Sequence, residues 1–174
     1  MLQRSQRAYY SASIGDFANT ASDAVLGEIS RNSGFAIETT QRDAWLQQVD
    51  VLRDQLKPWA HTGWLFFEFV VPRLGRRIDV LAIIDGVVFV IEFKVGECSF
   101  TRQALDQVWD YALDLKNFHE TSHGVVIAPL LVATEAIDTL SAISTSVHDD
   151  GVYLPIKVSP LLLSRCIEST LLLA

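Results

Sequence analysis

Apolar residues recur at helical spacing in one stretch of the chain and at strand spacing in several others. Trp45, Val49, Leu52 and Leu56 lie at i, i+4, i+7 and i+11, a single stripe along a helix that begins at Thr39 or Thr40 and reaches about Trp59. Lys57-Pro58 and His61-Thr62-Gly63 end it. Upstream, Ser13 and Ser22 are suited to cap two short helices, roughly Ile14–Asn19 and Asp23–Arg31. Downstream come three strands, about Trp64–Val71, Arg77–Ile84 and Val87–Val95. Thr101 starts a second long helix to about His119, with Leu105, Val108, Trp109, Ala112 and Leu115 as its core stripe. Val125–Val132 reads as a strand, and Pro129 within it suggests an edge or a bulge. A helix near Glu135–Ser144, a strand near Val152–Val158 and a final helix from about Pro160 complete the order. Three antiparallel strands, a helix and a further strand imply one crossover, expected to be right-handed. The fold class predicted is α/β, a mixed sheet flanked by helices on both faces.

The Asp85-Gly86 pair is a loop that closes tight hairpins, and it fixes a register. Ile84 faces Val87, and each outward step then sets Asp79 opposite Glu92 and Arg77 opposite Lys94. Alternation places Asp79, Glu92 and Lys94 on one face near the open end, with Leu81, Ile83, Val88 and Val90. A bulge at the open end is the expected complication. The other face is apolar throughout, which reads as a central pair of strands covered on both sides. Two facing carboxylates repel there, and burying a carboxylate costs several kcal/mol unless it is compensated. A divalent cation between them removes both penalties, and magnesium takes a few carboxylates together with waters and phosphate oxygens. The bland alternative is a structural cluster in which Lys94 and Arg77 neutralise the two acids. The two-sided apolar setting, the facing carboxylates and the lysine two residues after Glu92 favour a site.

Composition narrows the setting. The chain has 174 residues, 49% of them hydrophobic and 20% charged, which suits one folded domain. The net charge of −7 argues against a protein that simply coats DNA. It argues less against a protein that meets phosphate through a metal, since a cation can bridge acidic residues to phosphate. Cys98 and Cys166 form no CxxC pair, the four histidines lack zinc-finger spacing, and the start MLQRSQRAYYSASIGDF has no apolar secretory core. A reduced, cytoplasmic protein is expected. Val87–Ile91 is too short to span a membrane.

Asp79 followed by Glu92-Phe93-Lys94 resembles the D…ExK signature of the PD-(D/E)XK nuclease superfamily, whose fold is restriction-endonuclease-like. Gln107 and Tyr111, one turn apart on the next helix, resemble the Q-x-x-x-Y accessory motif of its RecB-like branch. The strings RLGRRIDVLAIIDGVVFVIEFKVGE and ALDQVWDYALDLKNFHE resemble the N-terminal nuclease-like domain of bacterial Schlafen-group-3-type DNA/RNA helicase proteins. That likeness runs from Tyr9-Tyr10 to the Leu131-Val132-Ala133-Thr134 strand. No G-x-x-x-x-G-K-[ST] loop is present, so a helicase motor would be a separate partner or a missing part.

The resemblance implies a single domain over 1–174, with a helical part over 1–60, a catalytic core over 64–132 and a C-terminal part over 133–174. It implies Mg²⁺- or Mn²⁺-dependent hydrolysis of phosphodiester bonds in nucleic acid, DNA before RNA. Asp79, Glu92 and the Phe93 carbonyl would hold the ion, and Glu28 on the second short helix matches where such nucleases place a further acid, or is an ordinary surface residue. Lys94 would act on water and phosphate, with Gln107 and Tyr111 positioning it. Glu68 reads as an exposed strand carboxylate or a group behind the site. Arg73, Arg76 and Arg77 make the one dense basic patch, which either holds phosphates or is a solvated turn. His119 and His123 read as helix-terminal polar groups, and Cys98 has no paired base. One rival is an inactive nuclease fold that only binds nucleic acid. Another is a docking domain for a helicase, using the apolar runs Leu161–Leu163 and Leu171–Leu173.

Overall fold

The computed structural model describes residues 7–34, 38–71, 75–118, 124–148 and 150–174. Its elements run β1 (Tyr10–Ser13), α1 (Ile14–Asn19), α2 (Ser22–Ser33), α3 (Thr39–Gln55), β2 (Trp64–Val70), β3 (Arg77–Ile84), β4 (Val87–Lys94), α4 (Arg102–Phe118), β5 (Val126–Ala133), β6 (Ile156–Val158) and α5 (Leu163–Leu173). Six strands form one mixed sheet in the order β1-β2-β3-β4-β5-β6. β1 to β4 pair antiparallel, and β5 and β6 join in parallel after the α4 crossover. The class is mixed α/β, as expected.

Each face of the sheet carries its own core. Val80, Ala82, Phe89 and Ile91 pack under α1, α2, α3 and α5, with Phe17, Ile29, Trp45, Val49, Leu52 and Ile167. Leu81, Val88 and Val90 pack under α4, with Val108, Tyr111, Ala112 and Leu115. Leu105 and Trp109, read as core, are only partly buried at the flank of that second cluster. The two apolar faces of the β3–β4 pair explain why no strand alternation shows there: both are covered, save at Ile83 near the turn.

Several boundaries differ from the sequence reading. β1 was not foreseen; it pairs Tyr10 with Phe67 and Ser13 with Trp64, too short a run to announce itself. Ser13 caps α1 by accepting the Asp16 N–H at 3.0 Å. Ser22 does not cap α2. Ala21 takes that position, and Ser22 Oγ accepts from Arg53 at 2.6 Å. No helix forms over Glu135–Ser144. That stretch runs alongside the chain before and after β6, with bridges Leu140–Val158 and Thr145–Tyr153. Its serines and threonines bond to backbone instead: Lys157 N–H to Ser141 Oγ at 2.9 Å, for example. Asp138 adopts a positive φ of 45°, which no α-helix contains. The segment thereby covers the β6 side of the sheet, which would otherwise be an open edge.

Pro129 lies in an inner strand, not at an edge. Ile127 sends both its N–H and its C=O to the Gly151–Tyr153 side. Alternation turns the Pro129 nitrogen to that same side, where Leu154-Pro155 interrupts the expected Val152–Val158 strand. The proline's missing donor therefore falls opposite a gap in pairing.

Candidate functional site

The hairpin register is the expected one from Ile84–Val87 to Val80–Ile91. The Asp85-Gly86 turn has φ of 47° and 85°, the double positive geometry that matches strand twist. Backbone pairing of β3 with β4 stops one step short of Asp79–Glu92. Asp79 Oδ2 accepts the Phe93 N–H at 2.9 Å, so a side chain takes the place of the next rung. In a strand the carbonyl points to the same edge as its own N–H, so the Phe93 carbonyl also lies on the Asp79 side.

Glu92 projects toward α4 and is 4% exposed. Its Oε1 accepts from Lys94 Nζ at 3.0 Å. Its Oε2 is buried and has no hydrogen-bond partner. Lys94 Nζ also donates to Gln107 Oε1 at 2.9 Å, and Gln107 Nε2 donates to Tyr111 Oη at 2.9 Å. The ammonium, which can only donate, thus fixes which end of the Gln107 amide faces it, and Tyr111 takes the other end. Glu92, Lys94, Gln107 and Tyr111 therefore form one hydrogen-bonded chain across a strand and a helix, and Asp79 is coupled to it through charge.

Electrostatics in this network are strained. Burial, then the Glu92 charge, then Glu68, push the Asp79 carboxyl well above the usual carboxylate range, against the pull of the Phe93 N–H and Lys94. Burial likewise raises Glu92, and Lys94 opposes it. Burial raises the Tyr111 phenol, with the Glu92 and Asp79 charges adding to it. Two acids that resist ionisation and a buried oxygen without a donor describe a place short of positive charge.

Glu68 is buried at 6% exposure, contrary to the exposed reading. Trp45 Nε1 donates to its Oε1 at 2.9 Å, and Arg77 Nε lies 3.4 Å from its Oε2. Its φ of 52° is unusual for a residue with a side chain. Both β2 and its partner β3 change core at this level: Phe67 and Val80 pack in the first, Phe69 and Ile78 in the second. The signal was in Phe66-Phe67-Glu68-Phe69, since a lone acid inside an aromatic strand needs a partner or a kink.

The remaining candidates are placed as follows. Arg77 NH1 donates to Tyr9 Oη at 2.7 Å, and its guanidinium sits 5.4 Å from the Tyr9 ring centre. Arg76 lies 3.6 Å from both Asp110 and Asp114 on α4. Both arginines are half-exposed and already face acids. Arg73, His119 and His123 lie outside the described residues. Glu28 is half-buried on α2, and its charge acts on Tyr10. No bond or ion pair among the described residues joins it to Asp79 or Glu92. Cys98 is exposed. An open pocket of about 620 Å³ runs beside Arg76, Gln107, Asp110 and Tyr111. A smaller one of about 280 Å³ is lined by Lys94, Glu97, Thr101 and Gln107. Gln107 borders both.

Among the described residues no three His, Cys, Asp or Glu side chains converge as a ready ligand set. None of the described helices is long and apolar enough to cross a membrane. No family model and no curated protein matches the sequence, so the functional reading rests on the site itself.

Proposed function

We propose that this chain is a Mg²⁺- or Mn²⁺-dependent nuclease domain with a restriction-endonuclease-like fold, hydrolysing phosphodiester bonds in DNA or RNA. The observation that carries the reading is Glu92 Oε2, a buried oxygen with no donor, next to an Asp79 carboxyl held toward protonation. Asp79, Glu92 and the Phe93 carbonyl would hold the cation. When bound, it supplies charge for the phosphate and lowers the pKa of a water.

The chain's own residues do the rest. Phe93 N–H holds Asp79 Oδ2 in place, which leaves the other carboxylate oxygen for the cation. Gln107, itself steadied by Tyr111, holds the Lys94 ammonium at the edge of the pocket. There Lys94 donates to a phosphate oxygen and stabilises the charge that grows on it. Arg77, half-exposed and fixed by Glu68 and Tyr9, stands beside the same strand end for a backbone phosphate. The resemblance to helicase-linked domains makes a separate motor the natural source of substrate.

A second reading keeps the fold and loses the cut. Lys94 Nζ already bonds Glu92 Oε1, so the lysine can serve as the internal counter-ion of a binding module. Purified protein incubated with DNA and RNA in Mg²⁺ or Mn²⁺ separates the two. Cleavage stopped by EDTA supports the nuclease. Bound metal with salt-sensitive nucleic-acid binding and no cleavage of single-stranded, double-stranded or branched substrates moves the assignment to the binding module.

A further inference from the structure

We propose that a slot on the far flank of α4 holds an unpaired nucleobase, so that the substrate is a single strand or a frayed end. The inference rests on the nucleic-acid reading above but needs no cleavage. A groove of about 620 Å³ is lined by Phe100, Leu105 and Trp109 on the α4 side and by Leu154 and Pro155 on the other. Its existence follows from the break before β6. Were Leu154-Pro155 paired as strand, they would close against β5; instead they stand away and Leu154 remains 42% exposed.

Phe100, Leu105 and Trp109 are half-buried and rest on the second core. A ring anchored on its inner side and open on its outer side is a rigid stacking platform. Arg102 and Lys157 line the same groove, together with the one acid Asp106. Arg102 is highly exposed and only 3.9 Å pairs it with Asp106, while no described acid lies within ion-pair reach of Lys157. Planar rings flanked by two cations suit a base and its phosphate. An acidic peptide would engage the cations but leave the ring surfaces unfilled.

The slot also adjoins the proposed site along the chain. Phe100 and Arg102 line the slot, while Ser99, Thr101 and Gln103 line the Lys94 pocket. Both grooves therefore open at the N-terminal turn of α4. A strand whose phosphate sits at Lys94 passes that turn and delivers a base to Trp109. A duplex keeps its bases stacked and presents none.

Fluorescence anisotropy with a labelled oligothymidylate, in EDTA and low salt, tests the slot without cleavage. Wild type should prefer the single strand to a duplex of equal length. Trp109→Ala and Leu154→Glu should each weaken single-strand binding about tenfold and leave duplex binding unchanged. Trp109→Phe should restore most of the loss. Leu154→Glu guards against a folding artefact at Trp109, because Leu154 is partly exposed. An oligomer with abasic positions should bind wild type as weakly as the intact one binds Trp109→Ala. Unchanged affinity in Leu154→Glu and Trp109→Ala overturns the slot. So does a polyglutamate peptide that binds in a Trp109-dependent way while oligothymidylate does not. Slot-dependent binding with no cleavage in Mg²⁺ removes the nuclease assignment alone; cleavage with slot-independent binding removes the slot alone.

Discussion

Asp79 and Phe93 are joined by a bond that ends a sheet ladder: Oδ2 of the acid accepts the backbone N–H of Phe93 at 2.9 Å, one step beyond the last β3–β4 backbone pair. The bond holds a carboxyl group in a place where burial and Glu92 both oppose its charge. An amide oxygen can accept the same N–H without carrying that charge.

Asp79→Asn should therefore stabilise the metal-free protein at neutral pH while weakening cation binding. Thermal melts in EDTA check the first half, and each kcal/mol regained would appear as about 2–4 °C. The pH dependence has a defined sign. The folded-state pKa of Asp79 is raised above its ordinary 3.8, so the folded state binds more protons than the unfolded one between those values. Metal-free wild type should lose stability as pH climbs through that window, and Asp79→Asn should flatten the loss. A melting temperature that instead rises through mildly acidic pH, in wild type but not in the variant, contradicts the assignment.

Divalent cation should act in the opposite direction. A ligand that binds only the folded state stabilises it by about 2.7 kcal/mol at a hundredfold excess over Kd. Mn²⁺ or Mg²⁺ should raise the melting temperature at pH 7 to 8 and have little effect in acid, where Asp79 keeps its proton. Glu92→Gln should remove most of the shift, since it replaces the donor-less Oε2. Calorimetric titration of wild type with millimolar Mn²⁺ is the direct measurement, and an absence of heat there would sink the metal centre.

Arg76 and Arg77 should differ in their effects. Arg77 is held by buried Glu68 and by Tyr9. Arg77→Ala leaves Glu68 with one fewer donor, so it should cost about 1–3 kcal/mol of stability as well as binding. Arg76 meets Asp110 and Asp114 near the surface. Arg76→Ala should change stability by less than about 0.5 kcal/mol. Where either arginine holds a phosphate, its loss lowers the slope of log affinity against log salt by about one. An unchanged slope in both variants leaves them as internal ion pairs.

The hairpin was legible because its turn carries its own geometry. Asp85-Gly86 fixes the register, and the pairs run as expected from Ile84–Val87 to Val80–Ile91, with Lys94 meeting Glu92 beyond them. The α3 stripe was legible for the same local reason, and the α4 stripe at Val108, Ala112 and Leu115, whereas Leu105 and Trp109 stay partly exposed. What escaped depended on distant parts. β1 exists only because β2 pairs with it. Leu140 and Ile143 have helical spacing, yet their segment lies along the β6 chain. Glu68 turns inward because Trp45 and Arg77 wait there, from a helix and another strand. The end of the ladder at Asp79 depends on where a side chain, not a backbone, finds its donor.

Cleavage tests the chain of contacts from Tyr111 to Lys94. Lys94 donates to both Glu92 and Gln107, and Gln107 donates to Tyr111. Lys94→Ala should lower the cleavage rate by about 10²–10³, the scale of losing one donor to developing charge. Metal binding should persist, because Lys94 opposes ionisation losses at Glu92 but is no ligand. Gln107→Ala should cost less, since the ammonium keeps its bond to Glu92. Tyr111→Phe should cost least. It removes the bond that steadies the Nε2 end of the Gln107 amide, while the Lys94 ammonium still holds the amide oxygen. The ordering Lys94, Gln107, Tyr111 is thus a statement about one network rather than three independent residues. It also fixes non-additivity: Tyr111→Phe placed on Gln107→Ala should cost almost nothing further. Single-turnover rates with saturating Mn²⁺ measure each variant. Additive losses in the double variant, or a Tyr111→Phe effect larger than that of Gln107→Ala, would show that the tyrosine acts by another route.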